Sequence, residues 1–313
     1  LSANAFEMIT ERVGYFPGHV NVGLVIGSTG AILIDSGLDT QTAKKLKKGL
    51  DAIAQPLCAI IQTHAHADHF GGNAYLLGCW PQAEVYAPPL EEAIIRNPIL
   101  EPIYLNMGAE PPSDLRNKFL LAAASRVDHL LPLEGEIEID DVPFSILSLP
   151  GHSWQQVGVV CDDICFAADS YLGEDILDKH KLPFLVDAHE TIKSLTKLLA
   201  SSYKGYIPGH GPYTTSPQSA MNKNIDLHQH IYGQIEDLLQ EESTLEDTLA
   251  RLCERLHISI QNASSFVLFR TAFMGYLIGL HKQERVVYRF DQNRWLWRKN
   301  EFAFQDGADG AER

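Results

Sequence analysis

Residues 64–72 read HAHADHFGG. In an extended segment side chains two apart point the same way, so His64 and His66 present their imidazoles to one point. Asp68 and His69 follow where a helix would start and aim at a neighbouring point. Ala65 and Ala67 keep bulk away, and Gly71-Gly72 permit close backbone packing behind the donors. Four nitrogen and oxygen donors at this spacing suit zinc, and also manganese, iron or cobalt. H-x-H-x-D-H arises by chance in a chain of this composition roughly once in a thousand. A lone histidine in an apolar region is usually a satisfied core residue, but four ligand types within six positions are not a packing solution. Three further donors stand where strands should end: His152 in PGHS, Asp169 in AADS and His210 in PGHG. Loops at the carboxyl ends of strands can deliver such donors to one site.

Asp35 in LIDSG, the cluster His64/His66/Asp68/His69, then His152, Asp169 and His210 appear in an order that resembles the metallo-β-lactamase superfamily, over about residues 15–215. The resemblance implies an α/β (α+β) fold, a four-layer αββα sandwich of two mixed sheets with metals at the edge between them. It implies two divalent ions, zinc foremost: His64, His66 and His152 on one, Asp68, His69 and His210 on the other, and Asp169 bridging both. Asp35 would steady the ligand loop from behind. Two cations about 3.5–4 Å apart lower the pKa of a bridging water to about 7, giving a hydroxide that attacks a carbonyl or phosphoryl centre. Asp68 would orient that nucleophile and shuttle its proton. Tyr171, two residues after Asp169, is placed to donate to a developing oxyanion, as a tyrosine near this point does in some lactonases. The spacing differs from theirs, and packing against an insertion is the plainer role.

The expected activity is hydrolysis of a small ester, thioester or lactone. A phosphodiesterase or endoribonuclease of the same fold is one alternative. A mono-iron persulfide dioxygenase and a non-catalytic metal-holding scaffold are the others. G-x-S-x-G, Walker and G-x-G-x-x-G loops are absent, so rival hydrolase and nucleotide-binding classes lack their devices.

These donors need strands to carry them. VNVGLVI (20–26) and AILID (31–35) read as a hairpin, and 40–54 as an amphipathic helix. LCAIIQT (57–63) has the near-continuous apolar run of a strand buried on both faces. Strands follow at 83–87, 136–139, 144–149, 157–161 and 164–169, a helix at 189–202 and a strand at 205–207. Residues 98–128, rich in Pro, read as a partly helical insertion of the kind that walls a pocket. Residues 1–216 thus form the expected catalytic domain. Helices at 217–240, 244–257 and 264–283, with a basic hairpin, form a helical, winged-helix-like domain at 217–303, and 304–313 is a tail. Ser243-Thr244-Leu245-Glu246 reads as a capping box. The order of these C-terminal elements resembles a branch holding an endoribonuclease and uncharacterised hydrolases.

Forty-five per cent hydrophobic and 21% charged residues over 313 positions describe a soluble globular chain. No apolar run nears the roughly 20 residues of a membrane helix: the longest, 266–280, is broken by Arg270 and two glycines. No membrane partner is expected. The opening LSANAFEMITER lacks a basic region and apolar core, so no signal peptide is read. A net charge of −15 disfavours nucleic acid. Against it stands one basic stretch, Lys282 to Lys299, read first as a charged hairpin edge, with a homodimer or domain contact and nucleic acid as alternatives. Trp295 and Trp297 on it should pack on the helices. Five cysteines without a C-x-x-C fit buried free thiols and a cytoplasmic location. His228 and His230 read as solvent or interface residues, and His19 as a loop residue.

Overall fold

The computed structural model describes residues 6–301, so the tail at 304–313 lies outside the described residues. The first sheet runs in sequence order: β1 (Glu7–Met8), β2 (Val13–Phe16), β3 (Val22–Ile26), β4 (Ala31–Ile34), β5 (Leu57–Ile61), β6 (Glu84–Ala87) and β7 (His129–Leu130). It is antiparallel from β1 to β4 and parallel from β4 to β7. The second sheet contains β8 (Gly135–Ile139), β9 (Val142–Ser148), β10 (Val157–Cys161), β11 (Ile164–Ala168) and β12 (Gly205–Pro208), in spatial order β12-β11-β10-β9-β8. Only its β11–β12 pair is parallel.

The helices connecting the first sheet are α1 (Thr40–Ala52), α2 (Ala67–Phe70), α3 (Asn73–Cys79), α4 (Pro89–Arg96) and α5 (Leu100–Leu105). Those following the second are α6 (Glu174–Leu177), α7 (Ala188–Leu199) and α8 (Gln218–Leu238). Between the sheets Val25, Ile32, Ile34 and Ile61 meet Phe144, Ile146, Val159 and Phe166. Outside the first sheet Leu46, Leu50, Leu76 and Ile95 pack on Leu33, Ile60 and Val85. Outside the second, Leu195, Leu198 and Met221 cover Val160, Cys165 and Tyr206. These are the four expected αββα layers, each apolar face buried against the next. Strands β1, β2 and β7 add to the sequence reading. Two are two-residue edge pairs and β2 carries Gly14, so none shows a usable alternation.

After α8 come β13 (Ser243–Thr244), α9 (Leu245–Arg255), α10 (Ala263–Lys282), β14 (Val286–Asp291) and β15 (Arg294–Lys299), the strands ordered β13-β15-β14. The hairpin turns at Gln292 and Asn293, both with positive φ, as a two-residue turn of this hand requires. Thr244, not Ser243, caps α9 by accepting from the Asp247 amide, one position later than the expected box. The helix expected at 264–283 forms as α10, 20 residues long; the stretch read as too interrupted for a membrane span is long and apolar enough by length and composition to cross one. Here it packs on other elements. Phe273, Tyr276 and Leu277 join Tyr232, Ile235, Leu252 and Trp297 in one core. Gly275 brings the helix against the Val186 backbone, and Gly279 against Tyr232 and the His189 amide, where a side chain would collide. Arg270 pairs with Glu246.

Residues 98–128 hold α5 and a single 3₁₀ turn at Ser113–Leu115, with Leu105, Leu115 and Leu120 packed on Val267 of α10. All five cysteines are free, Cys161, Cys165 and Cys253 buried and Cys58 and Cys79 half-buried. Trp297 is buried in the helical core as expected, but Trp295 stacks on Phe290 in a partly exposed aromatic cluster at the hairpin tip. Much of the hairpin's positive charge is neutralised within the chain: Arg285 grips Glu236, Arg289 grips Glu242, and Lys282 pairs with Asp187.

Behind the HAHADH segment, a side chain at Gly72 would strike the Ser36 carbonyl, and one at Gly71 the Leu38 carbonyl. Gly72→Ala should therefore cost about 1–3 kcal/mol or more in urea unfolding. Gly78→Ala, facing open space within α3, should be neutral or stabilising by up to about 1 kcal/mol.

Candidate metal centre

The seven donors come together. His64, His66, Asp68 and His69 lie in the loop after β5 and the first turn of α2; His152 lies between β9 and β10, Asp169 follows β11, and His210 follows β12. The donor atoms of His64, His66 and His152 lie within 4.8 Å of one another, as do those of Asp68, His69 and His210, and of His64, His69 and Asp169. Asp169 is central: its Oδ1 stands 3.3 Å from His69 Nε2, and its Oδ2 3.3 Å from His210 Nε2 and 3.4 Å from His152 Nε2.

The outer nitrogen of most of these rings is already committed. His69 Nδ1 donates to Asp35 Oδ2 (2.7 Å), His152 Nδ1 to the Phe184 carbonyl (3.1 Å) and His210 Nδ1 to the His19 carbonyl (2.8 Å). Thr63 Oγ1 donates to Asp35 Oδ2 and so accepts from His64 Nδ1 at 3.0 Å. A neutral imidazole with its proton on Nδ1 presents a lone pair on Nε2. With all four rings neutral, the form a bound cation requires, four such lone pairs and two carboxylates face one another. His66 Nδ1 completes the first group, 3.1 Å from His64 Nε2 and 2.8 Å from His152 Nε2. His69 Nε2 and Asp169 Oδ1 are buried without a hydrogen-bond partner among the described residues. Acceptor facing acceptor in a dry interior fits a cation between them.

Protonation answers the same field. Burial lowers His69 and His210, but the carboxylates of Asp169 and Asp68, with Asp35 for His69, more than reverse it: His69 rises well above the usual histidine range and His210 to about 10. Burial and neighbouring imidazoles hold His64 well below that range and His66 at about 3, and burial also lowers His152. Burial opposes ionisation of both acids, yet His69 and His210 bring Asp68 down to about 2 and hold Asp169 well below the usual carboxylate range.

Asp35 sits where the sequence placed it, behind the ligand loop, accepting from the Thr63 amide and hydroxyl (both 2.8 Å) as well as from His69. Glu91, on α4, escaped the sequence reading. It is 1% exposed; its Oε2 accepts from the Ala65 amide (2.9 Å) and its Oε1 from Ser153 Oγ (2.7 Å) and the Gln155 amide (2.8 Å). One carboxylate thus ties the His64/His66 loop to the His152 loop. In PLEEAIIR it looks like an ordinary acid in a helix's first turn, and no local signal separates it from Glu92.

A cavity of about 370 Å³ opens from the donors, lined among others by His66, Asp68, Asp169, Phe184 and Leu268. Glu101 and Leu120 bring the insertion to its wall, as expected. Tyr171 also lines it but packs with Leu149, Leu195 and Tyr206 rather than against the insertion, which corrects that expectation; its hydroxyl is buried without a partner among the described residues. His228 is corrected too: it is buried on the cavity wall, its Nδ1 2.7 Å from Tyr276 Oη, while His230 is exposed. Burial lowers His228 to about 4. His19, read as a loop residue, both holds His210 and lines the cavity.

The model of the metallo-beta-lactamase superfamily matches residues 15–210. A protein of Streptococcus pyogenes named probable metallo-hydrolase is 27% identical over 211 residues, covering 66% of this chain and 85% of that one. A hydroxyacylglutathione hydrolase of Xanthomonas euvesicatoria is 28% identical over 140 residues, 44% of this chain; the match spans only 42% of that relative. Among solved structures, a metallo-beta-lactamase family protein from Thermus thermophilus superposes with a TM-score of 0.68 at 17% identity, covering 90% of this chain and 93% of that one. A beta-lactamase domain protein from Burkholderia ambifaria gives 0.70 at 13%, covering 95% and 94%. At these identities the structural likeness is one of fold.

If Glu91 positions the two ligand loops, Glu91→Gln should weaken metal binding about 10–100-fold in chelator competition and leave the far-ultraviolet dichroism unchanged. Unaltered affinity would make Glu91 a packing residue only.

Proposed function

Because the chain belongs to the metallo-beta-lactamase superfamily, whose model spans residues 15–210, we propose that it is a hydrolase of small esters, thioesters or lactones that uses two divalent ions, zinc foremost. His64, His66 and His152 would hold one ion, Asp68, His69 and His210 the other, with Asp169 shared. The observation that carries this reading is the ring of inward-facing lone pairs, each fixed by an acceptor at the back of its imidazole. Divalent ions in such a site supply Lewis acidity, lowering the pKa of water and stabilising negative charge on a substrate oxygen.

The residues do the rest. Asp68 lies on the cavity wall and is held ionised, so it orients a water towards the substrate carbonyl and carries its proton to the leaving group. Asp35 and Glu91 keep the donors in place while charge moves. Tyr171, pushed by burial above the usual phenol range, stays protonated and offers its hydroxyl to a substrate oxygen. Phe184 presents its ring to His66 and His152 at 5.3 and 5.9 Å and keeps bulk water from that side.

Elemental analysis of protein purified without added metal should give close to two zinc or manganese ions per chain. One iron and little else would move the reading to oxygen chemistry, with persulfides tested first. His66→Ala should lower metal content and reduce kcat/KM roughly 100-fold or more; unchanged values for both would make the ligand assignment wrong.

A proton count tests the division into two sites. At pH 7 the metal-free protein holds protons on His69 and His210 but not on His64, His66 or His152. An ion binding Asp68, His69 and His210 must displace protons, so its affinity falls as pH falls, by about tenfold per pH unit for each proton displaced. The ion on the three-histidine group displaces none. Chelator competition between pH 6.5 and 8.5 should show one pH-dependent and one nearly pH-independent site; two parallel dependences would contradict the assignment.

A further inference from the structure

The cavity narrows the substrate class beyond the reaction type. Its wall runs directly from the edges of His66 and His152 onto Phe184, Leu185, Leu172 and Ile176, then to Leu120 of the insertion and Leu268 of α10. Among the described residues that line it there is no lysine or arginine. The one carboxyl that lines it beyond the donor cluster is Glu101, 4% exposed and raised well above the carboxylate range by burial and by the nearby Asp68 and Glu91. The rest of the polar lining is the unpartnered Tyr171 hydroxyl, Ser170, Thr191 and Asn224, with His19, His180, which burial lowers, and His228, whose Nδ1 is engaged by Tyr276 and which burial keeps neutral. A volume of about 370 Å³ is at the small end of the roughly 300–1,000 Å³ range of small-molecule sites.

We propose that this chamber receives an uncharged apolar arm of the substrate, so that the preferred substrates are neutral alkyl or acyl esters, thioesters and lactones rather than phosphodiesters or anionic thioesters. The inference rests on the hydrolase reading of the donor cluster. A phosphate backbone or a carboxylate-bearing thiol carries charges beyond the scissile group. Those charges would have to enter a largely apolar wall with no lysine or arginine to meet them, which costs more than it returns. An alkyl arm meets Phe184, Leu185, Leu172, Ile176, Leu120 and Leu268 and gains by leaving water. The basic hairpin does not rescue an anionic substrate, because it contributes no residue to this wall.

The test uses the metal-loaded full chain in a pH-stat, with methyl esters and γ-lactones whose alkyl arm lengthens one carbon at a time. Bis(p-nitrophenyl) phosphate and S-lactoylglutathione serve as anionic comparisons. We expect kcat/KM to rise with each methylene until the chamber fills, by up to about fourfold per step, the factor that roughly 0.8 kcal/mol per buried CH₂ gives. Leu268→Arg, which puts a cation into the wall, should flatten that series. Phe119→Ser, on the exposed rim, should weaken the dependence without threatening the fold. A flat series in the wild-type protein, or faster turnover of either anionic substrate, would overturn the inference and leave the hydrolase reading intact. A metal-loaded protein that hydrolyses none of these compounds would overturn both.

Discussion

Lone pairs aimed at one another in a water-poor interior repel, and four imidazoles with two carboxylates in that arrangement need positive charge among them. The chain enforces the arrangement from the outside. Asp35, the carbonyls of Phe184 and His19, and the Thr63 hydroxyl each take the outward proton of one ring and thereby turn its other nitrogen inward. Asp35 does most, because one buried carboxylate accepts from the amide and hydroxyl of Thr63 and from His69. It adopts a positive φ of 65°, a conformation an aspartate tolerates better than most residues. Without the metal, protons on His69 and His210 fill the same electrostatic role.

The donors arrive from both sheets, so the centre is also a statement about the fold. Four come from the loop after β5 in the first sheet, and three from the ends of β9, β11 and β12 in the second. Glu91 bridges the two ligand loops, and Asn21 ties the start of the first sheet to the His210 loop by donating to the Pro208 and Gly211 carbonyls. The inner core of Val159, Phe166, Ile32 and Ile34 holds these loops within hydrogen-bond reach.

What the sequence made legible was whatever is local. The HAHADH run, the buried strands β5, β10 and β11 and the amphipathic α1 are written in consecutive residues, and the structure has them within one or two positions. His152, Asp169 and His210 were legible because each ends a readable strand. Other features depend on contacts distant in sequence. Glu91 is indistinguishable from a first-turn acid until Ser153 and Ala65 are placed against it. His228 reads as solvent-facing until Tyr276, 48 residues later, covers it. Tyr171 was assigned to the wrong neighbours because its packing partners, Leu149 and Leu195, come from a strand end and a helix on either side of it. The α10 helix was legible, but the role of its glycines was not: they are where α8 and the 185–189 segment press against it.

The matched family region ends at residue 210, but Leu268 of α10 and His228 of α8 help to wall the cavity. Part of the cavity wall therefore lies beyond the stretch of chain that carries every donor. Substitutions on α8 and α10 can reshape the chamber without touching any donor, its outward hydrogen bond or the Glu91 bridge. If the chamber takes the substrate as proposed, a lineage carrying this architecture can exchange one substrate for another through a few helix positions while keeping every donor.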